Sequence, residues 1–136
     1  MNAQDDDEII AAARSGFLDE ARQMLAQFEQ SLLVLENDPS DTESLNAAFR
    51  AAHTIKGSAG LFGFDAVVAF THEAETLLEA LRAGQLALDG TAAALLLQSR
   101  DQIEALLQEV DSCTQDPDVA QRSHELGQAL RALLPA

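Results

Sequence analysis

The chain has 136 residues, a length that fits one domain with a real core, and a formal net charge of −15 from eight Lys and Arg against 23 Asp and Glu. Nucleic-acid binding relies on basic side chains to neutralise phosphates, and attraction to anionic lipid has the same requirement, so this balance argues against both partners. Apolar residues are mainly Leu and Ala, aromatics are limited to six Phe, and only three Pro and seven Gly interrupt the chain, a composition that reads as all-α.

The N-terminal segment MNAQDDDEII is acidic and lacks the basic and apolar regions of a signal peptide. A first helix is expected from about Asp7 to Glu36, with Leu18, Ala21, Met24, Leu25, Phe28, Leu32 and Leu35 on one face, and with Ser15 and Gly16 as a point where an N-terminal turn breaks off. Pro39 ends it, and Ser40 or Asp41 is suited to cap the next helix. That second helix spans roughly Thr42 to Leu61 and closes at a corner, LFGFD, with Gly63 as the break and Asp65 as the expected cap of the third. The third runs to about Arg82, where AGQLALDG supplies a glycine stop. A fourth covers about Thr91 to Ser112, and its AAALLL is the longest apolar run, far short of the ~20 residues of a membrane span. Cys113 is the single cysteine, which rules out an internal disulfide, fits a reducing compartment and reads as an inert thiol. Pro117 opens a fifth helix that ends near Leu134. Short connections make successive helices antiparallel neighbours, so the expected architecture is an up-and-down four-helix bundle, about residues 7–112, with an additional C-terminal helix at about 117–134. The whole is read as one cytoplasmic, monomeric domain.

Within the second helix, FRAAHTIKGSAG places two glycines, Gly57 and Gly60, in a helical interior, where each costs roughly 1 kcal/mol relative to alanine. At about 100° per residue, Leu45, Ala48, Ala52, Ile55 and Ala59 form the core stripe, with Phe49 at its edge, and His53 lies roughly 120° from its centre. Lys56, Gly57 and Gly60 share the face of His53. The histidine therefore stands beside a cation and a strip of bare backbone, which suits a nucleophile that must meet a large partner. A neutral imidazole can accept a phosphoryl group, a lysine can offset charge on its oxygens, and glycines let another surface approach. Such an imidazole needs its other nitrogen held by an acceptor. The third helix has the core stripe Val67, Phe70, Ala74, Leu77, Leu78 and Leu81, and beside it a polar stripe of His72, Glu75 and Glu79. His53 precedes Gly63 by about as many residues as Glu75 follows it, so an antiparallel pair brings Glu75 opposite His53, with His72 one turn nearer the corner.

The stretch FRAAHTIKGSAGLFGF resembles the phosphorylation-site helix of histidine phosphotransfer (HPt) domains, most closely the N-terminal P1 domain of CheA-type chemotaxis histidine kinases. His53-Thr54-Ile55-Lys56-Gly57 matches the family pattern without departure. THEAETLLEALRAG is similar to the family's next helix, in which a histidine and a glutamate three residues later lie near the phosphorylated histidine, here His72 and Glu75. The likeness extends upstream through LLVLENDPSDTESLNAAFRAAH and covers about Leu18 to Val110. It implies that His53 receives the γ-phosphoryl group of ATP from a histidine kinase catalytic domain and passes it to an aspartate of a response-regulator receiver domain of CheY or CheB type. ATP would be used by that separate domain, and no cofactor or metal is implied for this chain. The chain is then either the first module of a larger kinase or a free-standing phosphotransfer protein.

Other readings stand beside this one. His124 is read as an ordinary surface histidine, Glu79 as a solvated helix charge, and Lys56 as either a surface helix pair or an electrostatic aid to the site. Phe49, Phe62, Phe64 and Phe70 are core candidates, with Phe62 and Phe64 alternatively part of an apolar docking patch. A metal-binding bundle using His53, His72, Glu75 and Glu79 is the alternative from another class, but paired Glu-x-x-His motifs facing inward are missing and His53 points outward. A purely structural interaction bundle leaves the two glycines unexplained.

Overall fold

Helix boundaries follow the punctuation of the sequence. The computed structural model describes residues 3–135, and among them it contains five helices and no strand: α1 (Ala3–Asn37), α2 (Thr42–Phe62), α3 (Asp65–Arg82), α4 (Gly90–Ser112) and α5 (Pro117–Ala132). Aspartates begin three of them. Asp41 accepts the Ser44 backbone N–H at 3.2 Å, Asp89 that of Ala92 at 2.8 Å, and Asp116 that of Asp118 at 2.9 Å. Each satisfies a donor that the first turn leaves without an intrahelical partner. Gly63 ends α2 with φ 73°, a left-handed conformation open to glycine at little cost.

Three expected boundaries need correction. α1 does not break at Ser15 and Gly16 but runs unbroken from Ala3, four residues earlier than expected, because a lone glycine without proline is outweighed by the alanine-rich turn before it and by Phe17 and Leu18, which are buried after it. Met1 and Asn2 of the acidic segment lie outside the described residues. Asp65 is not the cap of α3 but its first residue. The cap position falls on Phe64, which offers no side-chain acceptor; its carbonyl accepts the Val68 N–H at 3.1 Å. α5 stops at Ala132, two residues short of Leu134.

The first four helices close a ring in which α1 touches α2 and α4, and α3 touches α2 and α4; α5 lies outside, against α3 and α4. This is the up-and-down bundle with an added fifth helix. The expected stripes face the core: Leu18, Ala21, Leu25, Phe28, Leu32 and Leu35 of α1 are buried, as are Ala48, Ala52, Ile55 and Ala59 of α2 and all six positions of the α3 stripe, whereas Met24 and Leu45 are only partly buried and pack against its edge. α5 is tied down by Gln102, 1% exposed, whose Nε2 donates at 2.8 Å to both the Val119 carbonyl and Ser123 Oγ, and by an ion pair between Arg131 and Glu73. Because α5 covers α3 and α4 rather than α2, the outer face of α2 stays open. Among the described residues, no helix is long and apolar enough to cross a membrane.

Candidate functional site

His53 projects from that open face, with its side chain 63% exposed. Opposite it, across the α2–α3 contact, stands Glu75, the one buried carboxylate among the described residues, with its side chain 11% exposed. Glu75 Oε2 lies 2.7 Å from His53 Nδ1, and Lys56 Nζ donates to Glu75 Oε1 at 2.6 Å. A buried carboxylate without partners would be strongly disfavoured, so the two bonds explain why Glu75 is tolerated there. Burial on its own would raise the Glu75 carboxyl; the hydrogen bonds from Lys56 and His53, and their charges, outweigh it and hold it below its ordinary value. Glu75 is thus ionised at neutral pH and can only accept. The proton of a neutral His53 ring must then be on Nδ1, which leaves the Nε2 lone pair available.

His72, expected one turn nearer the corner, has Nδ1 4.0 Å from Glu75 Oε1, beyond hydrogen-bond range, and its side chain is 61% exposed. Gly57 and Gly60 are exposed, and a Cβ built on either meets nothing within 4 Å. Nothing among the described residues requires them to be glycine. The LFGF corner lies about 13 Å along α2 from His53, at ~1.5 Å per residue. There Phe62 stacks on Phe64 with centroids 5.8 Å apart, and both rings pack against Phe17 of α1. Phe64 is partly buried, whereas Phe62 is 43% exposed, so Phe62 is at the rim and not in the core. Glu79 is exposed but engaged, accepting from Arg82 at 3.2 Å. Cys113 is exposed and ends α4 with φ 55°, and His124 is exposed on α5.

Besides the bond from Lys56 to Glu75, two further contacts were not anticipated. The Phe49 ring stacks on the His53 ring, centroids 6.0 Å apart and planes 11° from parallel, and the Arg82 guanidinium lies 4.2 Å over Phe49. The i, i+4 spacing of Phe49 and His53 was the available signal. Among the described residues, no three His, Cys, Asp or Glu side chains converge so as to hold a metal ion.

The model of the Hpt domain family matches residues 12–113. The chain belongs to the Hpt domain family. Residues 12–113 take in α2, α3, α4 and most of α1, so the Hpt match contains every site residue described above. This Hpt domain is 40% identical over 124 residues to the chemotaxis protein CheA of Cereibacter sphaeroides, covering 85% of this chain and 18% of that protein. It is 42% identical over 104 residues to CheA of Salmonella typhimurium, covering 76% of this chain and 15% of the relative. The chain thus spans less than a fifth of the length of these curated relatives. Among solved structures, the phosphorylated P1 domain of CheA3 in complex with CheY6 from R. sphaeroides superposes with a TM-score of 0.80 at 27% identity, over 90% of this chain and 94% of that one. The CheA phosphotransferase domain from Thermotoga maritima gives 0.70 at 30% identity, over 74% of this chain and 95% of its own.

Proposed function

We propose that this Hpt domain is the phosphotransfer module of a chemotaxis-type two-component system. In this reading the Nε2 lone pair of His53 attacks the γ-phosphorus of ATP held by a kinase catalytic domain. The bond to the β,γ-bridging oxygen breaks, and ADP leaves with its electron pair. The phosphorylated ring carries positive charge, which the Glu75 carboxylate offsets through the Nδ1 proton. An aspartate oxygen of a receiver domain then attacks phosphorus, the N–P bond breaks, and its electrons return to Nε2.

The observation that carries this reading is the pairing of Nδ1 with a buried carboxylate on a ring that is otherwise exposed. It gives the imidazole one tautomer and one free nucleophilic nitrogen. Gly57 and Gly60, which have no internal packing reason, support it by leaving a clearing for the partner. Lys56 acts first by holding Glu75, and its charge also favours incoming phosphate oxygens. His72 contributes at most a second contact, and Phe62 and Phe64 form the apolar margin of the partner-binding face. The partners are an ATP-binding kinase domain and a receiver of CheY or CheB type. The similarity to CheA proteins, and to a P1 domain solved with CheY6, supports both partners. The test is incubation with a CheA kinase core and labelled ATP: wild type is expected to take up acid-labile phosphate and His53→Gln none, and uptake by His53→Gln would refute the assignment.

A further inference from the structure

The hydrogen bond to Glu75 fixes one atom of the His53 ring. It does not fix the ring plane, because the terminal torsion of histidine is broad and an exposed imidazole can swing about a single contact. Yet the Nε2 lone pair lies in that plane, so the direction of attack on phosphorus is set by the plane. Phosphoryl transfer places the attacking and leaving atoms roughly in line, and it is driven largely by positioning.

We propose that Phe49 and Arg82 form a stack that sets the plane of the His53 imidazole, making both of them positioning residues for phosphoryl transfer; this inference rests on His53 being the acceptor. Phe49 presents its face 11° from parallel to the imidazole, which a single hydrogen bond has no reason to produce. Phe49 is only partly buried and is held in turn by Arg82, over its ring at 4.2 Å, while Arg82 is tied to Glu79 at 3.2 Å. The result is a cross-braced row over two helices: Phe49, His53 and Lys56 on α2, and Arg82, Glu79 and Glu75 on α3. Glu75 and Lys56 brace one end of the ring and Phe49 and Arg82 its flank, so the imidazole is constrained at an atom and at a face. Guanidinium groups favour aromatic faces, which is why arginine serves here better than lysine.

A role in filling space and a role in setting the plane are separable, because leucine fills the position without a flat face and tyrosine keeps the face. In single-turnover phosphorylation at saturating kinase core and ATP, Phe49→Leu is expected to be about tenfold slower, with the half-saturating kinase concentration unchanged, as misalignment at the reacting centre would cause. Phe49→Tyr is expected within about twofold of wild type, and Arg82→Met between the two, with the double variant no slower than Phe49→Leu. Relaxation of the His53 ring carbons, measured without kinase or ATP, is expected to show a more mobile ring in Phe49→Leu and Arg82→Met. A wild-type rate in Phe49→Leu, a Phe49→Tyr as slow as Phe49→Leu, or an unchanged ring mobility would overturn the proposal. Should Phe49→Leu fail to fold, the rate and ring mobility of exposed Arg82→Met decide it. Should the wild type take up no phosphate, the phosphotransfer reading fails, while the ring-mobility measurement still judges the stack by itself.

Discussion

Glu75 links three tasks in one carboxylate: it joins α2 to α3, fixes the His53 tautomer and anchors Lys56. Glu75→Gln keeps the shape but loses the charge that holds both partners. We expect it to slow phosphorylation by about 10- to 100-fold, a range typical of lost support behind a functional histidine, and to cost roughly 1–3 kcal/mol of stability. Single-turnover kinetics and urea unfolding read the two effects. The pH dependence follows from the lowered carboxyl of Glu75. A carboxylate whose folded value is depressed adds stability that is complete above its ordinary value of 4.5 and is lost as pH falls through the lower folded value. The stability gap between wild type and Glu75→Gln is therefore expected to close as pH falls through the lowered value of Glu75, as followed by thermal unfolding at stepped pH. This residue was legible in the sequence because an antiparallel pair about Gly63 fixes which residues face each other. Lys56 on Glu75, and Phe49 with Arg82, were less legible. Helical spacing assigns a side chain to a face, but which neighbour a long side chain grasps is decided by the three-dimensional alternatives around it.

At the scale of the element, α2 has two unlike sides. Its inner side is alanine-rich and packs closely on its neighbours, and its outer side carries the histidine and the two glycines. A Cβ at Gly57 meets nothing within 4 Å, so Gly57→Ala is expected to stabilise the fold by about 0.5–1 kcal/mol, the usual helix-interior difference. Gly57→Leu is expected to leave helicity unchanged or raised while weakening transfer to a receiver. Circular dichroism and a receiver-binding titration separate the two, and undiminished receiver binding would remove the explanation for the glycines. Element identities were readable from periodicity and caps, since aspartates and prolines mark the starts of α2, α4 and α5. The start of α1 was not readable, because Ser15 and Gly16 are local signals and the burial of Phe17 and Leu18 that overrides them is tertiary. The cap of α3 was misread for a related reason: the left-handed Gly63 turns the chain so tightly that Phe64 takes the cap position and Asp65 falls within the first turn.

Across the whole molecule, the packing of α5 and the face that carries His53 are separated in space. α5 packs on α3 and α4, away from the open face of α2, and is fastened through Gln102. Gln102→Ala removes both bonds to α5 and is expected to cost roughly 1–3 kcal/mol in urea unfolding, with the phosphorylation rate within about twofold of wild type. A parallel loss of rate would show that α5 supports the site. With Nδ1 given over to Glu75, the proposed reaction of His53 runs through Nε2, and nitrogen-15 NMR of the phosphorylated protein, with the imidazole nitrogens labelled, tests this proposal most directly. The expected result is a phosphorus coupling on Nε2 of His53 and a retained proton on Nδ1; phosphate on Nδ1, or on any residue other than His53, would contradict it.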